Sequence, residues 1–307
     1  MIRLPLINSQ ERIPIPDPVS PTTYPPLPTS LLPHPIVSNI AFAEGPIFDD
    51  RGDLYFVNYM ELGTLGRFSS DGTVEVWTHT GGQVNGLKYD GHGHLVAADL
   101  MGDRITRFDL RTKAMEVLTD GYEGTSYVGP NDIALDLKGN IYFSDSGRDE
   151  NLANGGVYRI NVDRENCPTG VDQLGHNMPF PNGLAVHPDQ KRLFVGTSGT
   201  NTIHSYDITA DGALANDHVV HEFPNATVDG MQFDEHGRLW VARWMNGSVD
   251  VLDPDSGDLL ASYAMGGSGV TNVAWWGNSL YATVSGRNSI ERLDVGVGPA
   301  DIVPKWD

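Results

Sequence analysis

The chain contains six copies of one sequence unit, and this repeat constrains the fold more than any other feature. One copy, PNDIALDLKGNIYFSD at residues 130–145, has the pattern of two alternating strands joined by a polar turn. The second residue of every copy carries a side-chain oxygen: Glu44, Asn85, Asn131, Asn182, Asp229 and Thr271. These positions are 41, 46, 51, 47 and 42 residues apart. A period of this size, with several short strands per unit, is typical of a β-propeller.

The number of strands in one unit defines the architecture. The second unit contains four strand-like runs, which are VNGLKYD, HLVAAD, RITRFDL and AMEVLTD. Six such units predict an all-β, six-bladed β-propeller with four antiparallel strands, A to D, in each blade. The sixth unit has three clear strands. We expect the N-terminal segment at residues 35–40 to close this last blade and cover its edge, with the tail PADIVPKWD as an alternative.

The N-terminal region differs in composition from the rest. Residues 5–35 are rich in proline, which disfavours helices and internal strands. We therefore predict an extended arm over residues 1–35 and a single propeller domain over residues 36–307.

Charge and cysteine content limit the partners and the compartment. The chain has 20 Lys plus Arg against 40 Asp plus Glu, a formal net charge of −20, which argues against nucleic acid and anionic membranes as partners. Cys167 is the sole cysteine, so no intramolecular disulfide can form. No stretch has the pattern of a signal peptide or a membrane span. We expect a cytoplasmic protein, and the choice between monomer and dimer stays open.

The six repeat oxygens point to a cation site. In a propeller the A strands line the central channel, so equivalent A-strand positions converge on one axis. Oxygen ligands suit a hard cation such as Ca²⁺, with another divalent cation as the alternative. Zinc or copper fits poorly, because no His or Cys occupies the repeat positions. Taken singly, an Asn or Asp before Gly is an ordinary turn residue. Six oxygen-bearing side chains in register favour a metal site.

The repeat units also carry a family resemblance. The specific segments are AEGP at 43–46, NGL at 85–87, PNDIA at 130–134, PNGLAV at 181–186 and VDGMQFDEHGRLWVA at 228–242. In this order they resemble the SMP-30/gluconolactonase/LRE family of six-bladed propellers, over residues 36 to about 295. The resemblance implies calcium ligands at Glu44, Asn131, Asn182 and Asp229. It places Asn85 beside them, facing substrate or supporting a ligand.

The resemblance implies a reaction as well. Its members include metal-dependent hydrolases that open a lactone by activated water, in which a cation polarises the carbonyl. Asp229 and Asn131 are the predicted catalytic residues, with Asp229 accepting the water's proton. Calcium-bound hydroxide and His176 are alternatives for that base. No nucleophile-elbow motif is present, because GTSGTN at 196–201 does not match the GxSxG pattern.

The loops on the face where the A strands begin predict how substrate is held. The B–C loops open beside the starts of the A strands, and three of them carry Tyr59-Met60, Leu100-Met101 and Trp244-Met245. These residues suggest an adaptable apolar rim. The predicted substrate-binding residues are Asn85, Tyr59, Met60, Met101, Tyr127, Arg148, Asp149, Trp244 and Met245.

One departure from the family pattern affects the expected substrate. Sugar-lactone relatives place a basic side chain two residues before the repeat Asn, where this chain has Gly129. The substrate is then a gluconolactone-like molecule or a more apolar lactone or ester. Two alternatives remain, namely a phosphotriester hydrolase of the same fold and a non-enzymatic, calcium-stabilised binding module.

Overall fold

The computed structural model describes residues 23–304 and residue 306, without the side chain of Tyr59. These residues form six four-stranded antiparallel sheets and one small hairpin. The predicted all-β, six-bladed propeller is therefore confirmed. Within the described ranges the helical element is a 3₁₀ turn, Ser285–Arg287, and no helix has the length and hydropathy needed to cross a bilayer.

The strands run through the blades in chain order. Those of the N-terminal segment and blades 1 to 3 are β1 (His34–Ser38), β2 (Ile40–Phe48), β3 (Leu54–Tyr59), β4 (Thr64–Phe68), β5 (Val74–His79), β6 (Val84–Tyr89), β7 (His94–Asp99), β8 (Arg104–Asp109), β9 (Met115–Thr119), the hairpin β10 (Gly121–Tyr122) and β11 (Thr125–Ser126), β12 (Pro130–Leu135), β13 (Ile141–Asp145), β14 (Gly155–Val162) and β15 (Pro168–Met178). Those of blades 4 to 6 are β16 (Pro181–Val186), β17 (Arg192–Thr197), β18 (Thr202–Ile208), β19 (Leu214–Glu222), β20 (Val228–Phe233), β21 (Leu239–Arg243), β22 (Ser248–Leu252), β23 (Leu259–Ala264), β24 (Val270–Trp276), β25 (Ser279–Val284) and β26 (Ser289–Leu293).

The six A strands form a closed ring. Strands β2, β6, β12, β16, β20 and β24 each contact the next, and β24 contacts β2. Every residue of β12, β16 and β20 is buried. Polar side chains on these strands are therefore withdrawn from bulk water, and this burial disfavours the ionised form of a carboxyl in the channel.

The N-terminal segment closes the sixth blade, as predicted. Strand β1 pairs antiparallel with β26, with His34 opposite Arg292 and Ser38 opposite Ser289. Val37 is 4% exposed and packs in a cluster that includes Ile40. The first and last parts of the ring are thereby joined by main-chain hydrogen bonds and by apolar packing.

The C-terminal tail has a different position from the predicted alternative. The Glu235 amide donates to the Gly298 carbonyl over 2.9 Å, and the Trp306 indole donates to the Asp90 carbonyl over 2.8 Å. Between these anchors, Ile302 and Val303 cover the channel residues at the ends of the A strands. The tail thus closes one end of the channel.

The polar turns between A and B strands explain part of the repeat. Asp136 Oδ1 accepts hydrogen bonds from the amides of Lys138 and Asn140, each 2.9 Å long. Asp49, Asp90 and Asp234 make the same pair of bonds in their own units. The acid after each of these A strands therefore fixes a tight hairpin.

The described part of the arm, residues 23–33, lies against blades 5 and 6 without forming a strand or helix. The buried Arg238 guanidinium donates to the Pro25 carbonyl over 2.9 Å, and the Tyr263 hydroxyl donates to the Pro28 carbonyl over 2.8 Å. Residues 1–22 of the predicted arm lie outside the described residues. The boundary between arm and propeller domain at residue 35 stays a prediction.

Candidate active site

Five of the six repeat oxygens meet in one cavity of about 230 Å³ at the mouth of the channel. The residues are Glu44, Asn85, Asn131, Asn182 and Asp229. They come from the A strands of five successive blades. Leu100 and Trp244, from two B–C loops, also line this cavity, so it opens on the face predicted from strand polarity.

The sixth repeat residue, Thr271, has a structural role. Its fully buried hydroxyl donates to the Ala43 carbonyl over 2.7 Å and lies 2.6 Å from the Thr283 hydroxyl. Thr271 therefore bonds blade 6 to blade 1, where the ring of A strands closes.

The glycines that follow the repeat residues serve close packing. A Cβ atom on Gly230 would lie 2.1 Å from Cγ of Asn272, and one on Gly86 would lie 2.6 Å from Oδ1 of Asp132. A Cβ atom on Gly183 would lie 2.1 Å from the Asp229 carbonyl oxygen. The Asn-Gly and Asp-Gly pairs on these A strands are thus close-approach positions and not turns.

Two units carry a polar residue where the others have glycine, and these two residues meet. The Asn272 amide donates to Oδ2 of Asp132 over 3.2 Å, although the residues lie on blades 6 and 3. Burial raises the pKa of the Asp132 carboxyl, and the nearby Lys88 ammonium opposes that rise. A second polar layer therefore stands next to the five repeat residues.

The two carboxyls of the cavity are held in an unfavourable electrostatic setting. Burial, and then the charge of Asp229, raise the pKa of Glu44 well above its ordinary value. Burial, and then the charge of Asp132, raise the pKa of Asp229 in the same way. Both carboxyls are more than 90% buried. A positive charge placed between them would stabilise their ionised forms.

The donor set fits a hard cation. Oδ1 of Asn182 is buried without a hydrogen-bond partner among the described residues, while its Nδ2 donates to Ser198 Oγ over 3.2 Å. Asn85 donates to Oδ1 of Asn131 over 3.0 Å, which orients that amide. In the described part of the chain, no group of three or more His, Cys, Asp or Glu side chains forms a metal cluster. The candidate donors therefore combine two carboxylates with amide oxygens, a set that suits calcium.

Several predicted substrate-binding residues lie on the mouth face. Trp244 lines the cavity, and its ring centroid is 5.5 Å from that of Phe42. Met60, Met101 and Met245 are exposed on B–C loops of the same face but do not line the cavity. The side chain of Tyr59 lies outside the described residues.

Other predicted residues are placed away from the cavity. Tyr127 is 3% exposed, donates to the Gly121 carbonyl over 3.0 Å and packs on Phe143. Asp149 accepts the Asn151 amide over 2.9 Å in its own loop. His176 is exposed on β15, the outer strand of blade 3. None of these three lines the cavity.

Arg148 packs at the rim. Its guanidinium donates to the Leu100 carbonyl over 2.7 Å and forms an ion pair with Asp103. A Cβ atom on Gly129 would lie 2.8 Å from Cγ of Arg148, so the side chain passes over this glycine. The charge of Arg148 is therefore compensated by Asp103, outside the cavity.

Sequence reasoning did not single out several lining residues. Phe42, Gln83 and Thr227 line the cavity, and each precedes a repeat residue by two positions. Phe42 lies on β2, where the alternation of side chains along a strand predicts that it faces the same way as Glu44. Gln83 and Thr227 lie one residue before β6 and β20 begin. The alternation rule could therefore have found Phe42 from the sequence, but it does not apply to Gln83 and Thr227. Glu150 and Ser198 also line the cavity, from B–C loops that no periodicity predicts.

The last residue of a B strand anchors the loop that leads into the cavity. Asp145 accepts the Val128 amide through both carboxylate oxygens, at 2.8 and 3.0 Å, and Asp99 accepts the Gln83 amide over 2.8 Å. In blade 5 the anchor is Arg243, which instead donates to the Ala226 carbonyl over 2.9 Å. These bonds fix the segments that bring Gln83 and Thr227 to the mouth.

Comparison with known proteins identifies relatives. The family model described as "SMP-30/Gluconolactonase/LRE-like region" matches residues 42–286. Diisopropyl-fluorophosphatase of Loligo vulgaris is 29% identical over 252 residues, which cover 72% of this chain and 78% of that protein. Gluconolactonase of Zymomonas mobilis subsp. mobilis is 24% identical over 252 residues, covering 72% of this chain and 69% of that protein.

Solved structures support the same fold. The calcium-binding protein regucalcin from Agrobacterium tumefaciens superposes with a TM-score of 0.73 at 19% identity. The match covers 92% of this chain and 100% of that structure. At this level of identity the likeness establishes the propeller fold alone.

Proposed function

The chain belongs to the SMP-30/gluconolactonase/LRE-like family, and from this premise we propose that it is a metal-dependent hydrolase that opens a lactone or a related ester. Its relatives include a gluconolactonase and a pentonolactonase, which supports a lactonase activity. The proposed substrate is a small molecule, with a gluconolactone-like ring or a more apolar lactone as the candidates.

One observation carries the proposal. The cavity gathers two buried carboxyls and the amide side chains of three asparagines, and Oδ1 of Asn182 lacks a partner among the described residues. Burying such groups without a counter-charge is costly. We infer that Glu44, Asn131, Asn182 and Asp229 hold a divalent cation, with Ca²⁺ the best match to the oxygen donors. The likeness to a calcium-binding propeller supports this choice of ion.

The chain's own residues account for the rest of the mechanism. When bound, the cation supplies a Lewis acid that polarises the lactone carbonyl and stabilises the negative charge of the transition state. Asp229 accepts the proton of the attacking water. Burial raises the pKa of its carboxyl, and a bound cation would oppose that rise. Asn131 is held by Asn85 and keeps a fixed amide orientation beside the substrate.

The walls of the cavity favour a substrate with an apolar part. Phe42, Phe180 and Trp244 line the mouth together with Leu100. Apolar walls with a few fixed polar groups are typical of small-molecule sites. This composition favours an apolar lactone or ester over a fully hydroxylated sugar lactone.

A second candidate reaction follows from the first-named relative. Diisopropyl-fluorophosphatase shares 29% identity with this chain, so phosphotriester hydrolysis at the same site is the alternative. The two reactions differ in the electrophile, carbon in one case and phosphorus in the other. A non-enzymatic, cation-stabilised binding module is the third reading.

A substrate panel with and without chelator tests the proposal. We expect hydrolysis of at least one lactone in the presence of Ca²⁺, with a loss of about 10³-fold or more after chelation, because the cation would stabilise the developing oxyanion. Proton release at constant pH measures the rate. An aryl phosphotriester in parallel separates the second candidate. Hydrolysis that survives complete chelation, or no turnover of any compound, would contradict the proposed reaction.

A further inference from the structure

We propose that the mouth of the cavity selects substrates by charge, accepting uncharged and cationic molecules and rejecting anionic ones, and that Glu150 is the residue that enforces this selection. The inference rests on the proposed function, because it assigns a substrate class to that same site. It concerns specificity and goes beyond the identity of the reaction.

The first observation is the sign of the charges that line the cavity. The ionisable side chains among the described lining residues are Glu44, Asp229 and Glu150, and Lys, Arg and His do not occur among them. A divalent cation held by Glu44 and Asp229 would balance their two negative charges. Glu150 would then remain as one uncompensated negative charge at the mouth.

The second observation is that nearby basic groups are already paired. The Arg148 guanidinium forms an ion pair with Asp103 and donates to the Leu100 carbonyl. Lys88 does not line this cavity and lies deeper in the channel, near Ile302 and Val303 of the C-terminal tail. No guanidinium or ammonium among the described lining residues therefore meets a carboxylate or phosphate on an entering molecule.

The third observation concerns Glu150 itself. Its side chain is exposed and makes no hydrogen bond or ion pair with other described residues. It lines the same cavity as Glu44 and Asp229, so the field of its negative charge acts at the mouth of the site. An anionic substituent on a ligand would meet the same field.

The aromatic walls fit the same selection. Phe42 and Trp244 have ring centroids 5.5 Å apart, and Phe180 also lines the cavity. Aromatic faces attract apolar groups and cations but offer no compensation to an anion. A carboxylate beside aromatic rings suits an ammonium group, so a cationic ligand should bind at least as well as a neutral one. The anionic product of lactone opening would be disfavoured by the same field.

Binding of non-hydrolysed analogues tests the inference separately from turnover. The probes are three γ-lactams that share one phenyl group and differ in a distal substituent, which is hydrogen, carboxylate or trimethylammonium. Calorimetry in excess Ca²⁺ at low ionic strength gives the three dissociation constants. We expect the anionic lactam to bind roughly 3- to 10-fold more weakly than the neutral one, and the cationic lactam to bind as tightly or more tightly.

Glu150→Gln should reduce the ratio of the anionic to the neutral dissociation constant by about 3-fold or more, and Glu150→Lys should reverse the preference. Glu61→Gln is the matched control, because Glu61 is an exposed carboxylate on a B–C loop of the same face that does not line the cavity. The control should leave the ratio unchanged.

Three results would overturn the inference: a ratio that Glu150→Gln does not change, an equal shift in Glu61→Gln, or no binding of the neutral lactam. The matching lactones are assayed for hydrolysis in parallel. If they are not hydrolysed while the lactams keep the charge order, the proposed reaction fails and the charge selection stands.

Discussion

Asp229→Asn is expected to abolish hydrolysis and, in the metal-free protein, to raise thermal stability. The activity should fall by about 10³-fold or more, because the variant loses both a cation ligand and the proton acceptor. The stability should rise by roughly 1 kcal/mol, because Asp229 is buried beside Glu44 and Asp132 and its charge is destabilising there without a cation. Melting curves with and without Ca²⁺ and a lactone assay measure both effects.

Asp132→Asn is the control for this prediction. Asp132 is another buried acid, but it does not line the cavity and it is hydrogen-bonded to Asn272. The control should keep the rise in melting temperature that Ca²⁺ produces, whereas Asp229→Asn should lose it. A metal-free Asp229→Asn protein that melts lower than the wild type, or an active variant, would contradict the assigned role.

Val37→Asp is expected to lower the free energy of unfolding by at least about 3 kcal/mol. Val37 is 4% exposed on β1, the strand that closes the last blade, and an unpaired carboxylate there would be buried among apolar side chains. Denaturant unfolding measures the change. The loss should be large because β1 joins the ends of the ring and covers the edge of β26.

Ser38→Asp is the matched control on the same strand. Ser38 is exposed, so the same charge at the adjacent position should change the free energy of unfolding by no more than about 0.5 kcal/mol. Equal effects of the two substitutions would show that packing of the buried face of β1 does not stabilise the ring.

The architecture was predictable because the repeat is carried by short-range patterns. The alternating strands and the acid turns, such as the one that Asp136 fixes, are local features that recur in register. Closure by β1 followed from the count of strands in the sixth unit. The path of the C-terminal tail could not be predicted from the sequence, because anchors such as the Trp306–Asp90 hydrogen bond depend on tertiary contacts alone.

The centre of the candidate site was predictable for the same reason, whereas its rim was not. Equivalent positions on A strands converge by symmetry, which brings Asn85 and Asp229 into one cavity. Loop residues obey no such rule. Tyr127 turns into the packing between blades, and Arg148 pairs with Asp103, while Glu150 on the same loop as Arg148 reaches the cavity.

Asp132 shows a further limit of the repeat pattern. The unit PNDIA differs from PNGLA by an acid in place of glycine, and the sequence alone does not tell whether that acid joins the metal ligands. In the structure it bonds to Asn272 across the channel instead. The pairing depends on the glycines of the other units, whose missing side chains leave the space.

Calorimetric titration of Ca²⁺ into chelator-treated protein is the most direct test of the central claim, that the side chains at the channel mouth hold one hard cation. The account predicts saturable binding that Asp229→Asn weakens by at least about tenfold, because one of two charged ligands is lost. Asn182→Ala should weaken it as well, since the unpartnered Oδ1 is removed. Absence of Ca²⁺ binding in the wild type, or binding that neither substitution changes, would contradict the claim.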